Sequence, residues 1–324
     1  MPFRYTLRQL EYFVAVGEAG SIALASEKVN VSSPSISAAI AQLEQEFGLP
    51  LFVRRHAQGL ALTQAGRVML AQARCVLREA ARMGDIADGI CGQVRGPLAV
   101  GCLLTFAQVV LPAVRRSFED RYGEVTVRQI ELDQAAIFSG IRRAELDIAL
   151  TYDLDIPADL RFIPLAELPP YVLAGEDHPL ADLPEITVEA LCAHPMVLLD
   201  LPFSADYFLS FFQQAGITPN VAERTRDMAV MRSLVANGYG YSIANIRPVN
   251  DRSPDGKPLR FIPLKGDLRP MRMGLLMTPD AEQSSTIRAF AGHCAELVTD
   301  GALPGLNAVP PGQAAAPGGQ GRGL

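Results

Sequence analysis

The stretch Ser21–Thr63, SIALASEKVNVSSPSISAAIAQLEQEFGLPLFVRRHAQGLALT, admits few folds. It reads as a helix, a tight turn at Asn30-Val31-Ser32, a second helix and a short β wing. Ser32 is a favourable N-cap, because its hydroxyl satisfies an N–H that the first helical turn leaves without a partner. Pro34 is tolerated in that turn, where it has no intrahelical N–H bond to lose. Ile36, Ile40, Leu43 and Phe47 then recur at +4, +3, +4 and make one face apolar. The opposite face carries Pro34, Ser37, Ala38, Ala41, Gln42 and Gln45, small or amide-bearing residues suited to a helix that lies close to a polar partner. DNA is the partner this arrangement predicts. Gly48 and Pro50 stop the helix, Leu51–Val53 and Leu60–Leu62 read as wing strands, and 54–59 forms the tip. Ahead of the stretch, a helix over Leu7–Gly17 places Leu10, Phe13, Val14 and Gly17 on one side. Ser21 caps the next helix, whose Ile22, Ala25 and Val29 face the same core.

From Thr63 a long helix is expected to about Gly92. Met69, Ala73, Val76, Ala80, Met83, Ala87 and Ile90 alternate at +4 and +3, a heptad seam that predicts pairing with a second subunit. The alternative is that this face packs on the protein's own body. Gly96-Pro97 marks the next boundary. Beyond it, strand-like segments (Leu98–Cys102, Val125–Glu131, Leu146–Leu150) alternate with helical ones (Phe106–Tyr122, Gln134–Arg143), which argues for α/β architecture with mainly parallel strands. Phe162–Leu165 reads as an outgoing strand, and Pro169-Pro170 opens a second lobe at Tyr171–Leu173. That lobe continues through strands at Met196–Leu199, Val221–Thr225 and Tyr241–Ala244, with helices at Ala205–Ala215 and Met228–Asn237. A strand at Arg272–Met277 and a helix over Ala281–Val298 return to the first lobe.

The net charge of −6 speaks against a generic nucleic-acid binder until it is divided. Residues 1–95 hold ten Lys/Arg and eight Asp/Glu, whereas residues 96–324 hold nineteen and twenty-seven. The asymmetry has the sign that DNA requires, but it predicts modest affinity per subunit. An oligomer multiplies the contacts. No run of about 18 apolar residues exists, so no membrane span is expected, and MPFRYTLRQLEYF lacks a signal-peptide core. The five cysteines (Cys75, Cys91, Cys102, Cys192, Cys294) are scattered without a C-x-x-C, which predicts neither a zinc site nor a disulfide framework. A reducing cytoplasm is the natural compartment.

Longer words carry a family resemblance. Leu7-Arg8-Gln9-Leu10 with Phe13, Gly20-Ser21-Ile22, Leu49-Pro50-Leu51-Phe52 and Leu62-Thr63 with Gly66 resemble, in order and spacing, the winged helix-turn-helix of LysR-type transcriptional regulators. Leu111-Pro112, Glu145–Leu150, Asp177-His178-Pro179-Leu180 and Val235-Ala236 with Gly238 and Gly240 resemble the effector domain of the same family. Gly123 stands where that family usually has proline, a departure that affects a turn. The resemblance implies an α/β fold with an all-α N-terminal part and a two-lobed domain similar to periplasmic binding proteins. It divides the chain into a DNA-binding domain at 1–63, a dimerising linker helix at 64–95 and an effector-binding domain at 96–300. Lobe 1 of that domain covers about 96–168 and 271–300, and lobe 2 about 169–270. The tail, 301–324, rich in Pro, Gly, Ala and Gln, is expected to be disordered. The implied partners are double-stranded promoter DNA, a small-molecule effector and further copies of the chain, as a dimer through the linker helix or a tetramer. RNA polymerase is a further partner that the resemblance admits.

For DNA, the candidates are Ser33, Pro34, Ser35, Ser37 and Gln42 on the second helix, with Arg54 and Arg55 in the wing. Hydroxyls and N–H groups at a helix start hold phosphates, and glutamine reads adenine. The same serines can serve simply as caps, and the arginines as a solvated tip. Many family members carry Arg or Gln where this helix has Ala38, so more reliance on DNA shape is expected. For the effector, the resemblance points to Leu103, Leu104 and Thr105, then Leu132 and Asp133, in one lobe. In the other it points to Leu201, Pro202, Phe203 and Ser204, with Asp227 and Met228. Thr105, Ser204 and helix N-termini suit an anionic group, whereas Asp133 and Asp227 would repel a carboxylate and are expected to cap helices instead.

No G-x-S-x-G, H-E-x-x-H or G-x-x-x-x-G-K-[ST] is present, and Gly238-Tyr239-Gly240 lacks the third glycine of a dinucleotide fingerprint. His56, His178, His194 and His293 are dispersed. No enzyme, cofactor or metal is therefore expected. Cys102, near the suggested pocket, raises a redox reading against that of a small buried residue. A solute-binding protein and a regulator whose C-terminal domain only oligomerises are the remaining alternatives.

Overall fold

The computed structural model describes residues 4–55, 59–91 and 93–303. The expected wing tip at 56–58 and nearly all of the tail lie outside the described residues. The described residues fall into two compact units: those up to Gln93 with Gly140–Leu146 and Gln283–Ser285, and Val94–Ser139 with Asp147–Glu282 and those from Thr286 to Leu303.

The first unit opens with α1 (Leu7–Ala19), α2 (Ile22–Val29) and α3 (Ser33–Phe47). Thr6, Ser21 and Ser32 cap them, accepting from the backbone N–H groups of Gln9, Leu24 and Ser35. Gly20, Asn30 and Gly48 end them at φ of 63°, 53° and 67°. Glycine enters that left-handed region freely and asparagine at low cost, so short-range punctuation sets all three lengths. Phe13, Val16, Ala25, Ile36, Leu43 and Leu51 are fully buried between the helices. β1 (Phe52–Arg55) pairs antiparallel with β2 (Gly59–Leu62), and α4 (Gln64–Ile90) follows. Gly66 lets α4 start against the wing: a Cβ there would lie 2.0 Å from the Leu51 carbonyl oxygen.

The seam on α4 is not one surface. Ala73 belongs to a buried cluster with Leu10, Phe13, Leu43, Leu51 and Leu70, and Met69 and Val76 pack against it. Met83, the seam residue two turns beyond Val76, is 75% exposed, and Ile86, outside the seam, is 44% exposed. The first half of the expected inter-subunit face therefore covers its own domain, because α4 lies against α1 there.

The second unit contains β3 (Gly96–Leu103), α5 (Leu104–Val109), α6 (Leu111–Arg121), β4 (Val125–Leu132), α7 (Gln134–Arg142) as far as Ser139, β5 (Ile148–Tyr152) and β6 (Arg161–Leu168). The single helix expected over Phe106–Tyr122 is two helices, broken at Val110. Pro112 in the first turn of α6 has no N–H to continue the α5 ladder. The second lobe holds β7 (Tyr171–Gly175), β8 (Ile186–Thr187), α8 (Val188–Leu191), β9 (Pro195–Leu199), α9 (Ser204–Gln214), β10 (Asn220–Thr225), α10 (Met228–Ala236), β11 (Ser242–Ala244) and β12 (Leu259–Lys265). β13 (Met271–Met277) and α11 (Ser285–Thr299) return the chain, with a 3-10 turn at Ala281–Gln283 where the start of a longer helix was expected.

Lobe 1 is a five-stranded sheet in the order β4-β3-β5-β13-β6. β3 runs parallel to β4 and β5, and β13 runs antiparallel to its neighbours β5 and β6. All five residues of β5 are buried, as a strand covered on both faces requires. Lobe 2 has a four-stranded sheet, β11-β7-β12-β8, and a parallel pair, β9 and β10. Sequence patterning missed β12, which sits inside that sheet. Pro263 interrupts its alternation and reads as a strand-breaker.

Candidate functional site

Pro34, Ser35, Ser37 and Gln42 are exposed on α3, and Ser33 is half-buried. Ile36, Ala39, Ile40 and Leu43 on the other face anchor the helix in the core. The Ser35 hydroxyl lies 2.8 Å from that of Ser32, the residue whose Oγ caps the helix. Ala38 and Ala41 are exposed between the polar positions and offer only methyl groups. Arg54 and Arg55 close β1, in register with Leu60 and Gly59, and their side chains lie outside the description. Two residues that sequence reasoning passed over organise this face. Gln9 of α1 donates from Nε2 to Gln42 Oε1 at 2.8 Å. Glu44 accepts from the backbone N–H groups of Leu51 and Phe52, tying α3 to the wing.

In the second unit, parallel pairing assembles the other candidates. Leu103 and Leu132 end β3 and β4 as register partners, so Leu103-Leu104-Thr105 and Leu132-Asp133 come together at one carboxyl edge. Leu199 and Thr225 end β9 and β10 as register partners, which brings Leu201–Ser204 beside Asp227-Met228. Carboxyl ends of parallel strands are where open α/β sheets receive ligands. Leu104 and Thr105 form the first turn of α5, Ser204 that of α9, and Met228 that of α10. Asp133 accepts from the Ala136 N–H at 2.8 Å, and Asp227 accepts from those of Ala229 and Val230. Both carboxylates are thus engaged in capping.

Phe203 has φ 65° and ψ −38°, a conformation costly for a residue with a Cβ. Its ring meets that of Phe138 from α7, with centroids 5.8 Å apart, so the two lobes touch at the crevice. Thr105 is buried, with its hydroxyl beside the Tyr152 phenol. Where the chain passes between the lobes, Asn245 donates to the Leu168 carbonyl at 2.8 Å and Tyr207 donates to the Arg269 carbonyl at 2.6 Å. Asn245 Oδ1 is buried and has no hydrogen-bond partner among the described residues. Burial pushes the Tyr207 phenol up to about 12, so it stays protonated as a donor. Asp153, at the end of β5, accepts from Arg269 Nη2 and Arg272 Nε, each at 2.7 Å. Burial alone would raise its carboxyl; the Arg272 backbone N–H and the two guanidiniums more than offset this and hold it below the ordinary range. Phe138, Asp153, Tyr207 and Asn245 carried no sequence signal, because their partners lie tens of residues away.

Cys102 is fully buried, and burial, with Glu131 adding to it, pushes the thiol up to about 12. A thiol held protonated in this way is a poor nucleophile, which favours the packing reading over the redox one. Among the described residues, no cluster of three or more His, Cys, Asp or Glu is placed to hold a metal ion, and no helix is long and apolar enough to cross a membrane.

Two family profiles match the chain. Residues 7–67 match "Bacterial regulatory helix-turn-helix protein, lysR family", and residues 92–299 match "LysR substrate binding domain". The chain is 32% identical over 240 residues to the Hca operon transcriptional activator HcaR of Escherichia coli K12, a match spanning 73% of this chain and 80% of that protein. It is 29% identical to the transcriptional regulator CysB of Haemophilus influenzae over 73% of this chain and 74% of that one. Among solved structures it is similar to HinK, a LysR family transcriptional regulator from Pseudomonas aeruginosa, at 31% identity and a TM-score of 0.61, covering 91% of this chain and 99% of the other.

Proposed function

We propose, from the fact that this chain belongs to the LysR family of bacterial regulators, a specific way in which it works. It is a DNA-binding transcriptional regulator with a helix-turn-helix and a substrate-binding domain, not an enzyme. In our reading α3 enters the major groove with Ser33, Pro34, Ser35, Ser37 and Gln42 toward DNA, and Arg54 and Arg55 set the wing on the backbone. The functional divisions are 1–63 for DNA, 64–95 for pairing and 96–300 for the effector. Two chains pair through the exposed end of α4 and reach half-sites about 10 bp apart, and two such pairs form a tetramer on promoter DNA in the cytoplasm, where RNA polymerase is within reach.

A small-molecule effector binds in the crevice between Leu103–Thr105, Leu132 and Phe138 on one side and Leu201–Ser204 with Met228 on the other. Asp133 and Asp227 serve the site as helix caps. One observation carries this reading: Phe203, at the mouth of lobe 2, is held in a strained backbone conformation against Phe138 of lobe 1. Strain of this kind persists where surrounding structure over-determines it, and it clusters at ligand clamps and switches. Closure around the effector then biases how subunits sit on the promoter.

The test is a metabolite library screened against the full-length protein for a rise in melting temperature and a changed promoter footprint. At least one compound should produce both, and Thr105→Val or Phe203→Ala should abolish them. If regulation proceeds and no compound has either effect, the C-terminal domain serves only to oligomerise.

A further inference from the structure

We infer that Gln42 meets DNA as a fixed hydrogen-bond donor, and that Gln9 is the positioning residue that fixes it. The inference rests on the groove placement of α3 proposed above. Gln9 is the third residue of α1, and its Oε1 accepts the Thr6 backbone N–H at 2.8 Å in a capping box. A backbone N–H can only donate, so the Gln9 amide has one orientation, with Nε2 directed away from the cap. That Nε2 donates to Gln42 Oε1 at 2.8 Å. The Gln42 carbonyl oxygen is held toward α1, and the NH2 group is the end left to a partner.

A free glutamine pairs with adenine through both ends of its amide, accepting from N6–H and donating to N7. With Oε1 engaged by Gln9, Gln42 presents donors. It therefore favours a base edge made of acceptors: guanine N7 and O6, or thymine O4. The adenine reading expected of an isolated glutamine gives way to an acceptor-reading one. Because the tie is between two uncharged side chains, it persists at salt concentrations that weaken the phosphate contacts.

The inference is tested by selecting binding sites from a random duplex library with the full-length protein, then measuring relative affinity for all four base pairs at each selected position. Gln42→Ala should flatten the preference at one base pair in each half-site and leave the rest. Gln9→Glu keeps an acceptor for the Thr6 N–H, since glutamate completes the same capping box. It replaces the donor facing Gln42 with a carboxylate oxygen, which takes the Gln42 NH2 and turns Oε1 toward DNA. At that base pair, preference should move about fivefold from guanine or thymine toward adenine or cytosine, whose N6 and N4 groups donate. An unchanged preference in Gln9→Glu overturns the inference. So does a Gln42→Ala variant that weakens every sequence equally, which marks a phosphate contact. If the wild type enriches no sequence, the groove placement fails and this inference with it. Should Gln9→Glu melt early, Gln9→Met removes the donor without adding charge and should shift the preference toward adenine; if it does not, Gln9 does not orient Gln42.

Discussion

Glu44 Oε1 accepts hydrogen bonds from the backbone N–H groups of Leu51 at 2.7 Å and Phe52 at 3.2 Å. One carboxylate on α3 thus fixes the point at which the wing leaves the helix. Gly48 and Pro50 alone would let the chain turn there in several ways. Removing the acceptor leaves the fully buried Leu51 with an N–H that no side chain satisfies. Glu44→Ala should cost about 1–2 kcal/mol in urea unfolding and reduce the salt dependence of DNA binding as the wing loosens. Glu44→Gln, which keeps an acceptor oxygen, should lose about half as much stability.

Assembly is tested at the end of α4 rather than its middle. Met69 and Val76 pack against the domain's own core, so an aspartate there would destabilise the monomer as well as any dimer. Met83→Asp with Ile86→Asp changes residues exposed in the single chain. The double variant should melt as the wild type does, sediment as a monomer and bind promoter DNA at least tenfold more weakly, as expected when a second half-site contact is lost. A double variant that sediments as the wild type does would place the pairing surface elsewhere.

Acid should weaken the second unit through two histidines. His178 accepts the Leu180 N–H on Nδ1 and its ring lies 5.1 Å from that of His194. Burial, then His194, lowers its pKa. His293 lies with Nε2 2.7 Å from the Ser117 hydroxyl; burial, then Arg121, lowers its pKa against the opposing pull of Glu296. Both folded values lie below the unfolded value of about 6.5, so the unfolded chain binds protons first. Their contribution is complete above that value and is lost as pH falls from it toward the folded values. Urea midpoints measured from pH 8 to pH 5 should fall below pH 6.5, and the decline should flatten when His178 and His293 are both replaced by glutamine.

Phe203 combines a strained backbone with a contact to Phe138. Phe203→Gly relieves about 1–3 kcal/mol of strain and removes the aromatic contact, so the net change in melting temperature should be small. Any ligand response should nevertheless disappear. Retention of the full response by Phe203→Gly would remove this residue from the site.

Much of this fold was legible because its signals are local. Ser21, Ser32 and Thr63 cap helices, Gly20, Asn30 and Gly48 stop them, and Ile36, Ile40 and Leu43 mark the buried face; all of these work within a turn or two of chain. The parallel strands of lobe 1 were legible as apolar runs such as Leu146–Leu150. β12 was not, since Pro263 breaks its pattern and only its neighbours β7 and β8 supply the reason for a strand. The break at Val110 was missed although its cause, Pro112, stood in plain view.

The helix-turn-helix that first limited what this chain can be was determined by the sequence alone, since caps, stops and periodicity act over distances shorter than a helix. The chemistry it presents was decided by tertiary structure. Gln42 is an ambidextrous amide until Gln9, 33 residues away, binds one end of it. Glu44 is a solvated charge until Leu51 and Phe52 turn toward it. On α4 an unbroken heptad pattern became two surfaces, because α1 covers only the first half. A repeat records which side of a helix is apolar; what lies against that side is set by contacts that sequence spacing does not encode.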